Sequence, residues 1–172
     1  MLIMNPTQWI GIVSFILAGL SGWIAGKHSA NRMWQWSSAA YGVLAVEVAM
    51  GFRHQLQGVM RSITVEQGFY DIRRSYQPIL IIVMLLANVL IFYWLLRIQW
   101  RTNPIFGVYV SLMLISALFL MEIVSLHAVD AVLYRRVGSI LLIGWLWAFA
   151  VVAHVTWAGW QIASARLTRR RG

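Results

Sequence analysis

The stretch that decides the fold is PILIIVMLLANVLIFYWLLRIQW, residues 78–100. Its only charged residue is Arg97, and a run of about 18 apolar residues is enough to cross the hydrocarbon core of a bilayer. The stretch therefore predicts a transmembrane helix. The whole chain has the same character, because 60% of its 172 residues are hydrophobic and 11% are charged, whereas a soluble domain is about 25% charged.

Four further segments have the length and composition of membrane spans. Together with the first stretch they predict an all-α, polytopic membrane protein, a bundle of five transmembrane helices forming one integral membrane domain over residues 1–172. All three prolines lie where these helices are expected to begin, since the first turn tolerates a missing N–H. The predicted spans are about 9–26, 37–60, 78–100, 104–134 and 137–162.

The distribution of charge predicts the orientation of the bundle. With five spans, eight basic residues and no acidic residue fall on one face. The other face and its adjoining helices hold six basic residues and all five acidic ones. Because Lys and Arg collect in cytoplasmic loops, we expect the N-terminus outside and the C-terminus in the cytoplasm, in a bacterial inner (plasma) membrane. The net charge of +9 is then a topology signal, and we expect no nucleic-acid partner.

Small residues and tryptophans predict how the helices meet each other and the membrane. Ser14, Ala18, Gly22 and Gly26 repeat every four residues, which allows the backbone of another helix, of this chain or of a partner, to approach closely. Indole rings prefer the membrane–water interface. Seven tryptophans near the predicted cytoplasmic interface are therefore expected to act as anchors: Trp23, Trp34, Trp36, Trp94, Trp100, Trp157 and Trp160.

Ionisable residues inside the spans predict one polar cluster at the outer end of the bundle. At a helical rise of ~1.5 Å per residue, Arg53 and His54 reach the same depth as Glu122, and the loop before residue 78 adds two arginines. One reading is structural, with ion pairs such as Arg53–Glu122 holding the helices in register. The predicted members are Arg53, His54, Arg73, Arg74, Glu122, His127, Asp130 and Arg135.

Two polar residues near the predicted midplane extend this cluster inwards. Glu47 and Asn88 each lie ten residues into a span, so we expect them at similar depth and within hydrogen-bonding reach of each other. His154 lies on the cytoplasmic half of the fifth span. It could bind a cofactor, approach Glu47, or hydrogen-bond a neighbouring helix.

A second reading of the cluster is cofactor binding. His54 and His127 come from different helices at nearby depths, as two axial ligands of haem b would. Alternatively, His54, Glu122, His127 and Asp130 form a nitrogen–oxygen set suited to a divalent metal. Thiolate ligands are excluded because the chain has no cysteine. A third reading is an anionic lipid-linked substrate held by arginine forks, with His127 and Asp130 as a base and its orienting partner.

No nucleotide-binding, phosphatase, transferase or protease motif accompanies these residues. We therefore expect an accessory or structural subunit of a larger membrane complex rather than an enzyme, with the lipid bilayer and other membrane subunits as its partners. The alternatives are a haem- or metal-binding electron-transfer protein that uses His54 and His127, and an enzyme or carrier for a lipid-linked anion.

Overall fold

A computed structural model describes residues 5–29, 31–52, 70–99, 106–124 and 127–171, with positions 55, 58, 59 and 62. In this part of the chain helices dominate, and four of them are long and apolar enough to cross a membrane. The prediction of a helical, multi-pass protein is thereby confirmed. The elements are α1 Pro6–His28, α2 Arg32–Met50, α3 Tyr70–Gln99, α4 Phe106–Val124, α5 His127–Leu133, β1 Arg136–Val137, β2 Ile140–Leu141 and α6 Leu142–Arg171.

Local sequence explains where the first two helices begin and end. Asn5 caps α1 by accepting from the Thr7 amide, and Gln8 completes a capping box, which satisfies amides that have no partner in the first turn. Gly51 ends α2 with a φ of 65°, a left-handed conformation that glycine adopts without strain. The span predicted at 37–60 thus contains a helix that starts earlier, at Arg32, and ends at Met50.

The boundaries of the third and fourth predicted spans also differ from those in the structure. The helix α3 begins at Tyr70, so Pro78 lies inside it rather than at its start. The segment predicted as one span over 104–134 contains two helices, α4 and α5. The strands β1 and β2, of two residues each, then form a β-hairpin that leads into α6. Its turn contains Gly138, which has a φ of 70°. Periodicity alone did not predict this hairpin.

The helix α2 packs against the face of α1 that carries the small residues Ser14, Ala18, Gly22 and Gly26, which we call the α1 ladder. Ala18 and Gly22 are buried, and a Cβ at Gly26 would contact Gln35 and Trp34 of α2. The Ser38 hydroxyl donates to the Gly19 carbonyl over 2.7 Å. The two helices therefore pack closely and antiparallel, with the groove filled by a helix of this chain.

The helices α4 and α6 complete a four-helix core with α1 and α2. The Leu141 amide donates to Thr7 Oγ1 over 3.0 Å, so α6 begins beside the start of α1 and runs parallel to it. Trp147 fills the centre, with ring centroids 5.7 Å from Phe15 and 5.9 Å from Phe119. These contacts join α1, α4 and α6 around one buried indole.

The helix α3 lies outside this core and packs against α4. The Asn88 amide donates to Ser116 Oγ over 2.6 Å, and the Phe92 and Tyr109 rings are 6.5 Å apart. Since higher residue numbers on α3 meet lower ones on α4, the two helices are antiparallel. The end of the bundle that carries Lys27, Arg32, Arg97 and Arg166 has no described acidic residue. The other end has charges of both signs: Glu47, Glu122, Asp130, Arg135 and Arg136.

Candidate functional site

A group of buried polar side chains lies where α1, α2, α4 and α6 meet, in the half of the core nearer the α1–α2 connection. His154 of α6 is its centre, with Ser111 of α4 and three residues of α2 around it. We call this group the His154 centre. Its side chains are fully buried: Trp34, Ser37, Tyr41, Ser111 and His154.

Ser111 and His154 are in hydrogen-bonding contact inside the core. The Ser111 hydroxyl donates to the Val108 carbonyl over 2.9 Å, and its oxygen also lies 3.1 Å from His154 Nδ1. In a neutral imidazole one ring nitrogen carries the proton and the other carries a lone pair, so the direction of the bond to Ser111 depends on the tautomer. His154 Nε2 is buried, and among the described residues it has no hydrogen-bond partner.

Three polar atoms converge beside Gly22 of α1. A Cβ at Gly22 would lie 3.1 Å from Ser37 Oγ, 3.2 Å from the Trp34 carbonyl oxygen and 3.4 Å from His154 Nε2. The Ser37 hydroxyl donates to that same carbonyl over 2.9 Å. Glycine is thus required for the close approach of α1 to these atoms.

Aromatic rings enclose the imidazole. The Tyr41 ring centroid is 4.7 Å from that of His154, and the Trp34 centroid is 5.5 Å away, both edge-on. Trp34 Nε1 is a buried donor with no described partner. The Tyr41 hydroxyl lies towards Ser111 without a hydrogen bond of ordinary geometry. Buried polar groups in proteins are nearly always satisfied, so this concentration of unsatisfied atoms marks a site.

The His154 centre does not fit a haem or a divalent metal. The backbone of α1 at Gly22 lies against Nε2, which leaves no room for a macrocycle on that side of the ring. A divalent ion would have neutral ligands only, and an uncompensated charge inside a membrane bundle is costly. Among the described residues, no three His, Asp or Glu side chains lie together as a metal site would require.

The described part of the predicted outer cluster centres on Glu122. This carboxylate is 1% exposed and accepts from the Tyr134 hydroxyl over 3.1 Å. Asp130 is partly buried on α5, whereas Arg135 is exposed beside the hairpin. Arg53 and His54, and the side chains of Arg73, Arg74 and His127, lie outside the described residues. The predicted ion pairs and the cofactor or metal set that includes them therefore stay predictions.

The predicted hydrogen bond between Glu47 and Asn88 is not formed. Asn88 lies on α3 and donates to Ser116 of α4 instead, while its Oδ1 has no described partner. Glu47 lies on α2, whose contacts among the described residues are chiefly with α1. Equal depth along two helices was not enough, because it does not determine which helices are neighbours.

His154 bonds a neighbouring helix, as one of the sequence readings expected, but its surroundings were missed. Trp34 was assigned to the membrane interface, yet it is fully buried. A signal was present, since Trp34, Ser37 and Tyr41 fall on one face of α2 at spacings of three and four residues. Comparison with protein families, curated proteins and solved structures finds no match for this chain.

Proposed function

We propose that this protein is a non-catalytic accessory subunit of a larger membrane complex, and that α3 is the helix that contacts its partner. The observation that carries the proposal is the position of α3 at the edge of the bundle. Only 11% of its most apolar window is buried within the chain, against 33% in α1, 33% in α4 and 39% in α6. The most apolar helix is thus also the least covered.

The outward face of α3 is continuous along the helix. Leu86, Leu90, Tyr93 and Trp94 are each more than half exposed, and they follow one another at helical spacing. Asn88, which is polar, is turned inwards to α4. Within a bilayer such a face meets either lipid tails or another transmembrane helix. In the second case, this face of α3 provides the surface on which the partner helix packs.

The finer topology is part of the same proposal. We place α2 as a fifth span, because it lies antiparallel along α1 and is held there by the Ser38–Gly19 hydrogen bond. We place the end that carries Lys27, Arg32, Arg97 and Arg166 in the cytoplasm, because positive charge accumulates on that side of bacterial inner membranes. The N-terminus and the β-hairpin are then outside.

Cysteine labelling tests the topology, since the chain has no cysteine of its own. Ser139→Cys lies in the hairpin turn and Ser29→Cys at the end of α1. With intact cells and a membrane-impermeant maleimide, we expect Cys at 139 to be labelled at once and Cys at 29 only after lysis. The reverse pattern would overturn the orientation, and equal labelling of both without lysis would overturn the span count.

Photo-crosslinking in native membranes tests the partner. A photoreactive amino acid replaces Leu90 on α3 or, as the matched control, Val152 on α6; the two are 63% and 62% exposed. We expect a discrete protein adduct from position 90 and lipid adducts from position 152. Lipid adducts alone from position 90, together with purification of a lone monomer from the same membranes, would refute an accessory role.

A further inference from the structure

We propose that one end of the bundle binds the headgroups of anionic phospholipids. This end has no described acidic residue, and its described cations have exposed side chains. The proposal holds whether or not α3 contacts a protein partner, and on whichever side of the membrane this end lies. We call it the basic end, after its four exposed cations: Lys27, Arg32, Arg97 and Arg166.

The packing of the helices brings these cations together just beyond the core. A buried cluster of residues from α1, α2, α4 and α6 crosses the bundle near this end, and Leu96 of α3 packs against it. Its members are Ala25, Trp34, Val108, Tyr109 and Ala158. Lys27 follows the cluster on α1, Arg32 precedes it on α2, and Arg97 directly follows Leu96. Cations from separate helices therefore form one positively charged surface, with Arg166 about one turn further out on α6.

An exposed aromatic side chain lies one turn inside three of these cations. Each aromatic residue is at least half exposed, and it is four residues from its cation, so the two share an outward helix face. The helix α2 runs opposite to α1 and α3, yet in all three helices the aromatic residue lies towards the centre and the cation towards the end. The pairs are Trp23–Lys27 on α1, Arg32–Trp36 on α2 and Tyr93–Arg97 on α3.

The length of each pair matches the thickness of a lipid headgroup layer. Four residues of helix span ~6 Å. The polar layer of each leaflet is about 5–8 Å thick, since a bilayer of ~40–45 Å has a hydrocarbon core of ~30 Å. Trp and Tyr rings prefer the boundary of that core, and rings placed there bring the three cations to the level of the headgroups. The pairs are thus spaced for a lipid, whose phosphate is fixed at this level, rather than for a free anion.

The pair on α1 is already in contact. Lys27 Nζ lies 3.5 Å from the centroid of the Trp23 ring, a cation–π interaction that holds the ammonium group over the ring. A headgroup phosphate beside Trp23 would therefore meet an ordered positive charge. A lipid with a net negative charge gains from this surface, whereas a zwitterionic headgroup brings a positive charge of its own. This difference selects anionic phospholipids.

Native mass spectrometry of the full-length chain, released from detergent, measures the binding of individual lipids. The probes are phosphatidylglycerol, which is anionic, and phosphatidylcholine, which is zwitterionic, with the same acyl chains. We expect tighter binding of phosphatidylglycerol. In the double variant Lys27→Gln, Arg32→Gln its affinity should fall about fivefold for each cation removed, while that of phosphatidylcholine stays unchanged. Equal affinities of the unaltered protein for the two lipids would overturn the proposal.

A matched variant separates the basic end from net charge. Arg135→Gln with Arg136→Gln removes two exposed cations from the hairpin at the other end, and we expect it to keep phosphatidylglycerol binding. An equal loss in the two double variants would refute the basic end as the site. Should the first double variant fail to fold, Arg97→Gln at the same end replaces it, with an expected loss of about fivefold.

Competition with inorganic phosphate separates a lipid from a free anion. Phosphate added at the concentration of the lipid should leave phosphatidylglycerol bound, because the lipid is also held by its acyl chains along the helices. Displacement of phosphatidylglycerol by phosphate would contradict the assignment of a lipid as the occupant.

Discussion

The four-helix core and the helix α3 are held by different means. In the core, α1, α2, α4 and α6 approach closely at small residues and pack aromatic rings around Trp147. Two described hydrogen bonds join these helices, Ser38–Gly19 and Ser111–His154. Among the described residues, α3 packs mainly against α4, through a strip that includes the interhelical hydrogen bond Asn88–Ser116. Because lipid tails are as apolar as leucine, helices in a bilayer gain little from hiding apolar surface. Hydropathy therefore places a helix in the membrane, while shape and polar groups place it in the core.

The largest expected difference between the two regions concerns tryptophan. Trp147 in the core is 2% exposed and Trp94 on α3 is 62% exposed. We expect Trp147→Ala to lower the free energy of unfolding in detergent by about 3–5 kcal/mol, because it leaves a cavity. Trp94→Ala should lower it by less than about 0.5 kcal/mol. Similar losses in SDS titrations of the two variants would mean that α3 is as well packed as the core.

The second largest effect on stability is expected at Glu122, the buried carboxylate near the end of α4. Glu122→Ala removes the carboxylate that accepts from the Tyr134 hydroxyl and leaves a cavity in its place, so it should lower the free energy of unfolding by about 1–3 kcal/mol. Tyr134→Phe removes only the hydroxyl and keeps both the ring and the carboxylate, so its expected cost is nearer 1 kcal/mol. Thermal unfolding of both variants measures the difference. A larger loss in Tyr134→Phe than in Glu122→Ala would contradict this assignment.

A pair of glycine variants sharpens the comparison within the core itself. Gly22→Ala places a Cβ 3.1–3.4 Å from three polar atoms, and such overpacking costs about 1 kcal/mol or more. Gly42→Ala meets no atom within 4 Å and should stabilise α2 by about 0.5–1 kcal/mol, because alanine loses less backbone entropy. The predicted result is opposite signs in the same unfolding assay. Equal effects would show that the α1–α2 contact is loose.

The smallest effect is expected at α3. Asn88→Ala removes the bond to Ser116, and interhelical hydrogen bonds in a membrane bundle contribute about 0.6 kcal/mol on average. Unfolding of the core should hardly change, whereas the photo-crosslink from position 90 should weaken as α3 loses its fixed rotation. Full crosslinking together with a loss of several kcal/mol would instead make α3 part of the core.

The sequence allowed the membrane class and the α1 ladder to be predicted, and both follow from composition and spacing. The depth of a residue along its helix could also be predicted from the sequence, but the helix that packs against it could not. Glu47 and Asn88 were paired because their depths match, whereas the packing of α3 against α4 gives Asn88 to Ser116. The His154 centre illustrates the same limit, since Trp34 was predicted at the membrane interface but is fully buried against the other helices. Several side chains of the predicted outer cluster lie outside the described residues, so the ion pairs and the cofactor site predicted there stay predictions.

The hydrogen bond from Leu141 to Thr7 spans 134 residues of sequence, and this separation has a consequence for biogenesis. During synthesis α1 and α2 emerge together and can pair in the bilayer at once, because their contact is local. The aromatic side of α1 that meets Trp147 must stay covered by lipid or by the insertion machinery until α6 is made. The helix α6 is translated after the other three helices of the core and is thus the one that closes it. A ribosome stalled before residue 141 would hold a chain in which α1 and α2 are paired but the side of Phe15 that meets Trp147 still faces its surroundings.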